Sequence, residues 1–225
     1  MKQVLLACCG TLALASVARA ADLPPRYPVT RAPIYAPVYN WTGFYLGFNG
    51  GGAWGSSTWD STGDFDLSGG LLGVTAGYNW QVGTFVFGLD GDVDWTNIKG
   101  HTFAFCAPGC ETSNSWLATV RGRVGYTFDR FMPYVTGGMP YVTGGLAFGD
   151  IGAHTPGNVG QDDTNFGWTV ATGLEIGLFG AWTAKAEYLY VDLGDINCGF
   201  GCGALASDHA SFTSHLVRGG LNYRF

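Results

Sequence analysis

Asp90, Asp92 and Asp94 occupy alternate positions, and further along the chain Arg121 and Arg123 do the same. Glu175, Lys185 with Glu187, and Arg218 with Arg224 continue the pattern. Clustered carboxylates can do general acid–base chemistry when their surroundings hold them in different protonation states. A spacing of two merely places side chains on one face of a β-strand. An acidic strand beside a basic one then predicts charge pairing rather than a reaction centre. His209-Ala-Ser211, with Asp208 adjacent, has the residue types of a base and a nucleophile, but the motif is short and lies in a Gly-rich stretch. His101, His154 and His215 are potential iron ligands by type, scattered along the chain. Two CxxxC pairs remain, Cys106 with Cys110 and Cys198 with Cys202. In a cytosolic protein these would suggest zinc.

The elements that must carry these residues read as strands. From Trp41 onward the chain alternates apolar and polar residues, and eight segments can be cut at about 42–56, 69–82, 84–96, 114–128, 133–149, 166–178, 181–192 and 213–225. In the last, Val217, Gly219, Leu221, Tyr223 and Phe225 share one face, and Leu216, Arg218, Gly220, Asn222 and Arg224 the other. All the charges named above fall opposite the apolar face of their segment. A soluble sandwich would turn the apolar face inward, whereas a membrane barrel turns it toward lipid and the charges toward the lumen.

Composition decides between them. Charged residues are 12%, against the usual ~25%, aromatics are 15%, and Gly is 37 of 225. That is too little charge for an ordinary soluble surface. No stretch after residue 20 approaches the ~18 apolar residues of a spanning helix. Phe44 to Trp54, Phe85 to Trp95 and Trp116 to Tyr126 place aromatics on one face at both ends of a span that a tilted strand needs to cross hydrocarbon. The fold expected is all-β, an eight-stranded antiparallel up-and-down transmembrane barrel. Joints near Gly83, Asp129 and Gly180 are short; those at about 57–68, 97–113, 150–165 and 193–212 are long, with Trp59 inside one of them. Short periplasmic turns and long outer loops follow, and both chain ends are then periplasmic.

Residues 1–20 read as a secretory signal, Lys2 preceding an apolar run that ends at Ala18-Arg19-Ala20, with cleavage between Ala20 and Ala21. Residues 21–40 hold five of the nine prolines and read as an extended leader; the barrel occupies 41–225. Removing the signal leaves 9 basic against 17 acidic residues, or −8, which excludes nucleic acid as a natural partner. Behind a signal, the CxxxC pairs are expected as two local disulfides. Met132-Pro-Tyr-Val-Thr-Gly-Gly138 recurs as residues 139–145. The offset of seven is odd, so both copies cannot present one face in one strand. The second copy is assigned to strand five and the first to an enlarged turn.

Tyr39-Asn-Trp-Thr-Gly-Phe-Tyr-Leu-Gly47, Gly88-Leu-Asp-Gly-Asp-Val93, Pro140-Tyr-Val-Thr-Gly-Gly145 and Val217-Arg-Gly-Gly-Leu-Asn-Tyr-Arg-Phe225 resemble the small outer-membrane immunogenic proteins of alphaproteobacteria, porin-family, OmpA-like eight-stranded barrels. The resemblance implies a structural protein of the Gram-negative outer membrane, a surface antigen supporting envelope integrity with at most a narrow pore. It implies lipid and lipopolysaccharide as surroundings, and the barrel-assembly machinery as the reader of Tyr223 and Phe225. Some members of such families bind haem, which would fall to His101, His154 or His209 in the outer loops. Some small barrels deacylate lipid A through a His-x-Ser pair. No cofactor and no catalytic residue is expected.

Overall fold

A strand crossing hydrocarbon must pair every backbone N–H and C=O with another strand, and only a closed sheet does this without leaving an edge. The computed structural model describes residues 39–60, 62–104, 109–128, 137–155, 161–197 and 209–225. Among them are eight strands: β1 Gly43–Trp59, β2 Gly63–Val82, β3 Phe85–Thr102, β4 Cys110–Tyr126, β5 Gly137–His154, β6 Gln161–Gly177, β7 Trp182–Asn197 and β8 His209–Arg224. Each pairs antiparallel with its sequence neighbours, and β1 pairs with β8 from Tyr45 opposite Arg224 to Trp59 opposite Ala210, closing the barrel. No described helix is long and apolar enough to cross a membrane.

At the end of the barrel that holds the start of β1 and the end of β8, two of the three joints are tight; the third, between β4 and β5, spans ten residues, 127–136, where a short joint near Asp129 was expected, because the first copy of the heptad falls in it. β2 and β3 are joined by two residues, with Gly83 at φ 63°. The β6–β7 turn closes through Leu178 N to Trp182 O at 2.9 Å. The second copy of the repeated heptad lies in β5, as its alternation requires, and the strand also takes in Gly137 and Gly138, the last two residues of the first copy. Residues 132–136 lie outside the described residues.

The strands are longer than the sequence segments. They run 16 to 20 residues, or about 40–50 Å of height at ~3.3 Å per residue and a tilt near 40°. An apolar band needs only about 25 Å. The excess lies at the far end, and it corrects the long loops: 57–59, 63–68, 97–102, 110–113, 150–154, 161–165, 193–197 and 209–212 are strand. The β1–β2 connection is only three residues, 60–62.

The sense of the alternation inverts along these strands. In the membrane half, apolar side chains point out: Phe44, Leu46, Phe48, Leu72, Val74, Trp80, Phe87, Leu89, Val120, Val142, Val170 and Val217 are all exposed. In the projecting half they point in. Leu67, Ile98, Ile151, Leu193 and Phe212 join one buried cluster. The outward positions there are polar, such as Asp64, Asp66, Ser68 and Asn97. Trp59, expected in a loop, is fully buried in this cluster, its indole N–H donating to Thr112 Oγ1 at 2.9 Å.

The register shifts in three strand pairs, β3–β4, β4–β5 and β7–β8, and the parity breaks fall in β4 and β7. In β4, four residues from Ser113 to Leu117 face three of β5, and inward parity passes from even to odd numbers. The carboxylate of Asp150 accepts the freed N–H groups of Ser115 and Trp116, each at 2.8 Å. In β7, three residues from Asp192 to Asp195 face two of β8, and Gly194 takes φ 70°, a left-handed conformation that a side chain disfavours.

At some lumen glycines a neighbouring side chain lies flat on the sheet. A Cβ built at Gly73 would meet Asp94 Oδ1 at 2.0 Å, and one at Gly77 would meet the Tyr45 hydroxyl at 2.4 Å. At outward Gly122 the nearest atom is 3.8 Å away. We therefore expect Gly73→Val and Gly77→Val to abolish the heat-dependent gel-mobility shift of the folded barrel, and Gly122→Val to retain it, since overpacking costs about 1–3 kcal/mol or more where nothing can move.

Candidate functional site

The barrel encloses three layers. The middle one is ionic. Arg121 and Arg218, both fully buried, are its hubs. Arg121 Nη2 reaches Asp90 Oδ2 at 2.6 Å and Asp92 Oδ1 at 2.7 Å, and Nη1 reaches Glu187 Oε1 at 3.0 Å. Arg218 Nε binds the second oxygen of Glu187 at 2.8 Å, Nη1 binds Asp94 at 2.7 Å, and Nη2 binds Asp92. A third cation, Arg123, pairs with Glu175 and lies 3.7 Å over the ring of Tyr141. Glu175 also accepts from Thr183 at 2.5 Å and Asn222 at 2.9 Å. Lys185 donates to Thr75 Oγ1 at 3.2 Å, and Thr75 in turn accepts from Asn49.

Thus nine of the ten charges singled out in the sequence, Asp90, Asp92, Asp94, Arg121, Arg123, Glu175, Lys185, Glu187 and Arg218, are buried together. The tenth, Arg224, shares their face but sits at the mouth, partly exposed, with its guanidinium 4.3 Å from the ring of Tyr39. Buried carboxylates and guanidiniums are costly unless each charge is paired, and here five carboxylates meet four cations across β3, β4, β6, β7 and β8. Some acceptors have no conventional donor, including Asp94 Oδ1, Asn222 Oδ1 and Asn79 Oδ1. These three lie where a Cβ of Gly73, Gly47 and Gly88 would be, at 2.0, 2.0 and 2.5 Å. Each therefore rests against a glycine Cα–H, a weak donor.

The other two layers are apolar. On the far side lies the cluster around Trp59 and Phe65, whose rings meet edge to face at 6.1 Å. Sequence reasoning missed it by assigning its strands to loops. The signal was Leu189, Val191 and Leu193 continuing the parity of Lys185 and Glu187, while Asp192 takes the opposite face. At the near mouth, Trp41 and Tyr39, which precede β1, pack with Val86, Met139 and Tyr141. Trp41 N–H donates to Gln81 Oε1 at 2.8 Å. Burial pushes the Tyr39 phenol above its ordinary pKa, an effect that Arg224 opposes.

The remaining residues do not converge. His101, His154 and His209 stand on strand ends rather than in loops, beside Glu111 at 3.6 Å, Asp162 at 3.6 Å and Asp60 at 3.1 Å. Ser211 Oγ accepts the N–H of Thr58 at 3.2 Å, and the carboxylate at His209 is Asp60. Asp208 lies outside the described residues. Among the described residues no group of three or more His, Cys, Asp or Glu could hold a metal ion. Cys110 is disulfide-bonded. Cys106, Cys198, Cys202, Ala20 and Ala21 lie outside the described residues. Tyr223 and Phe225 meet edge to face at 5.2 Å on the outer surface at the near end.

The family model of the outer membrane protein beta-barrel domain matches residues 7–225. The chain belongs to this family of outer-membrane β-barrels. It is 37% identical over 245 residues to the 31 kDa outer-membrane immunogenic protein of Brucella melitensis biotype 1, covering all of both chains. It is 28% identical over 229 residues to the 25 kDa outer-membrane immunogenic protein of Brucella abortus biovar 1, covering 100% of this chain and 99% of that one. The 22 kDa outer membrane protein of Rhizobium leguminosarum bv. viciae is 33% identical over 165 residues, 72% of this chain and 68% of its own. The outer membrane is accordingly the location of this barrel, and the exposed apolar band is its lipid contact.

The ionic layer predicts a graded mutational response. Arg218→Ala strands Asp92, Asp94 and Glu187 and should cost about 3–5 kcal/mol in urea unfolding of the refolded barrel. Arg224→Ala removes only a mouth contact and should cost about 1 kcal/mol or less.

Proposed function

We propose that this protein is a closed structural barrel that spans the outer membrane, supports the envelope and displays a rigid projection, without conducting through its lumen and without catalysing a reaction. The observation that carries this reading is the filled lumen: the Trp41 plug, the Arg121–Arg218 ion-pair layer and the Trp59 cluster lie in series along the same axis. An eight-strand barrel has room for its own side chains and little else. The projecting half has what a water-exposed β-barrel needs, an apolar interior and a polar exterior. The surface antigen reading fits this projection, as do the immunogenic names of the relatives.

In this reading the tight-turn end, with both termini, faces the periplasm, and the projecting end faces outward. Short turns at one end and extended strands at the other are the asymmetry of outer-membrane barrels. Tyr223 and Phe225 are then presented on the periplasmic side to the assembly machinery.

Two measurements test it. In a planar bilayer, the refolded chain should show no discrete current steps while its gel mobility shifts with heating; reproducible steps would overturn the closed barrel. In intact cells, Ser211→Cys should react with a membrane-impermeant maleimide under non-reducing conditions and Thr84→Cys should not. The reverse labelling would overturn the orientation.

A further inference from the structure

The β6–β7–β8–β1 face differs from the rest of the aromatic girdle. Trp54 of β1 stacks on His215 of β8 at 6.0 Å with 17° between planes. His215 in turn meets Tyr190 at 5.1 Å and Tyr188 at 6.0 Å, and the Tyr188 hydroxyl and His215 Nδ1 are hydrogen-bonded at 2.6 Å. Tyr190 continues to Trp168 of β6 at 5.2 Å. Five rings on four adjacent strands thus form one shelf at the upper edge of the apolar band. Trp54 and Trp168 remain about half exposed in it.

Beyond the shelf, β1, β7 and β8 turn polar side chains outward, while β6 adds the exposed ring of Phe166. Ser56 and Thr213 hydrogen-bond to each other at 3.1 Å, with Asp192 beside Thr213 in the register. Above them is a groove of about 300 Å³ lined by Thr58, Asp60, Asp195, His209 and Ser211. Outward positions on these four strands carry no Lys or Arg.

We propose that this face binds the unphosphorylated saccharide headgroup of an outer-leaflet glycolipid. Sugar rings present C–H faces that lie on aromatic rings, and hydroxyls that carboxylates and hydroxyl side chains can accept or donate to. The acidic groove, without Lys or Arg, disfavours phosphate. The shelf is continuous with the lipid-facing band, so acyl chains already in the bilayer bring the headgroup to the level of the groove. The proposal rests on the outward orientation of the projecting end. A symmetric bilayer makes its test independent of that orientation, because glycolipid is then present at both ends.

The refolded full chain is placed in phosphatidylcholine nanodiscs containing a minority of monohexosyl diacylglycerol, and lipids retained on ejection are counted by native mass spectrometry. Glycolipid should be retained over phosphatidylcholine by about threefold to tenfold, the scale of a few ring contacts. The preference should vanish in His215→Ala/Tyr190→Ala and fall in Asp195→Asn, which alters no ring and serves if the double variant does not fold. It should persist in Trp95→Ala/Trp116→Ala, which removes the cross-strand Trp pair of β3 and β4 in the same girdle. No preference in the wild type, equal loss in both aromatic variants, or stronger retention of an anionic phospholipid offered in the same disc would each overturn the proposal. Failure of the maleimide labelling with preference intact would overturn the orientation and leave the site.

Discussion

The requirement that no backbone polar group meet hydrocarbon unpaired governs this molecule. It forces closure, and eight strands of closure fix a lumen too narrow for water-filled space. Everything inside must fit that width. Tyr45, Asn222 and Asp94 cross the lumen side of the sheet only because Gly77, Gly47 and Gly73 leave a side chain's worth of room. These glycines are thus a consequence of barrel size. The same narrowness turns the charges into a network, because Arg121 and Arg218 cannot avoid the carboxylates of β3 and β7.

The strands solve two solvent problems in sequence. Over one part of their length the outside is lipid, and the apolar side chains are out. Beyond it the outside is water, and the same strands bury Leu, Ile and Phe. The ionic layer lies on one side of this inversion and the Trp59 cluster on the other. The projection therefore has its own hydrophobic core, which explains how strands of 16 to 20 residues stay ordered past the bilayer.

Much of this was legible in the sequence. Period two, the aromatic pairs ten residues apart and the tight joints at Gly83 and Gly180 gave the strand count, order and lumen face. The charges on that face could be named because Asp90, Asp92 and Asp94 keep strict alternation. The projecting half was not read, for a physical reason: its outward residues are Asp, Ser, Asn and Gly, the composition of loops. Parity also breaks in β4 and β7, so Trp116 and Asn114, both even, face opposite ways. Arg224 shows the limit of a face-only argument, which cannot tell a residue deep in the lumen from one at its mouth. The carboxylate beside His209 could not be foreseen either, because Asp60 comes from the other end of the chain.

That pairing belongs to the seam between β1 and β8, which joins the first strand to the last. Along its far half the seam is laced by side chains as well as by backbone: Ser56 to Thr213, Ser57 to the carbonyl of Ser211, Thr58 N–H to Ser211, and Asp60 to His209. Contacts this distant along the chain carry the greatest loop-closure entropy. The outward hydroxyls of Ser56, Thr58, Ser211 and Thr213 can trade protein partners for water. The outward side of the fastening that completes the ring is thus built from groups that water can satisfy, while its inward side, with Trp59, Ala210 and Phe212, is held by the core.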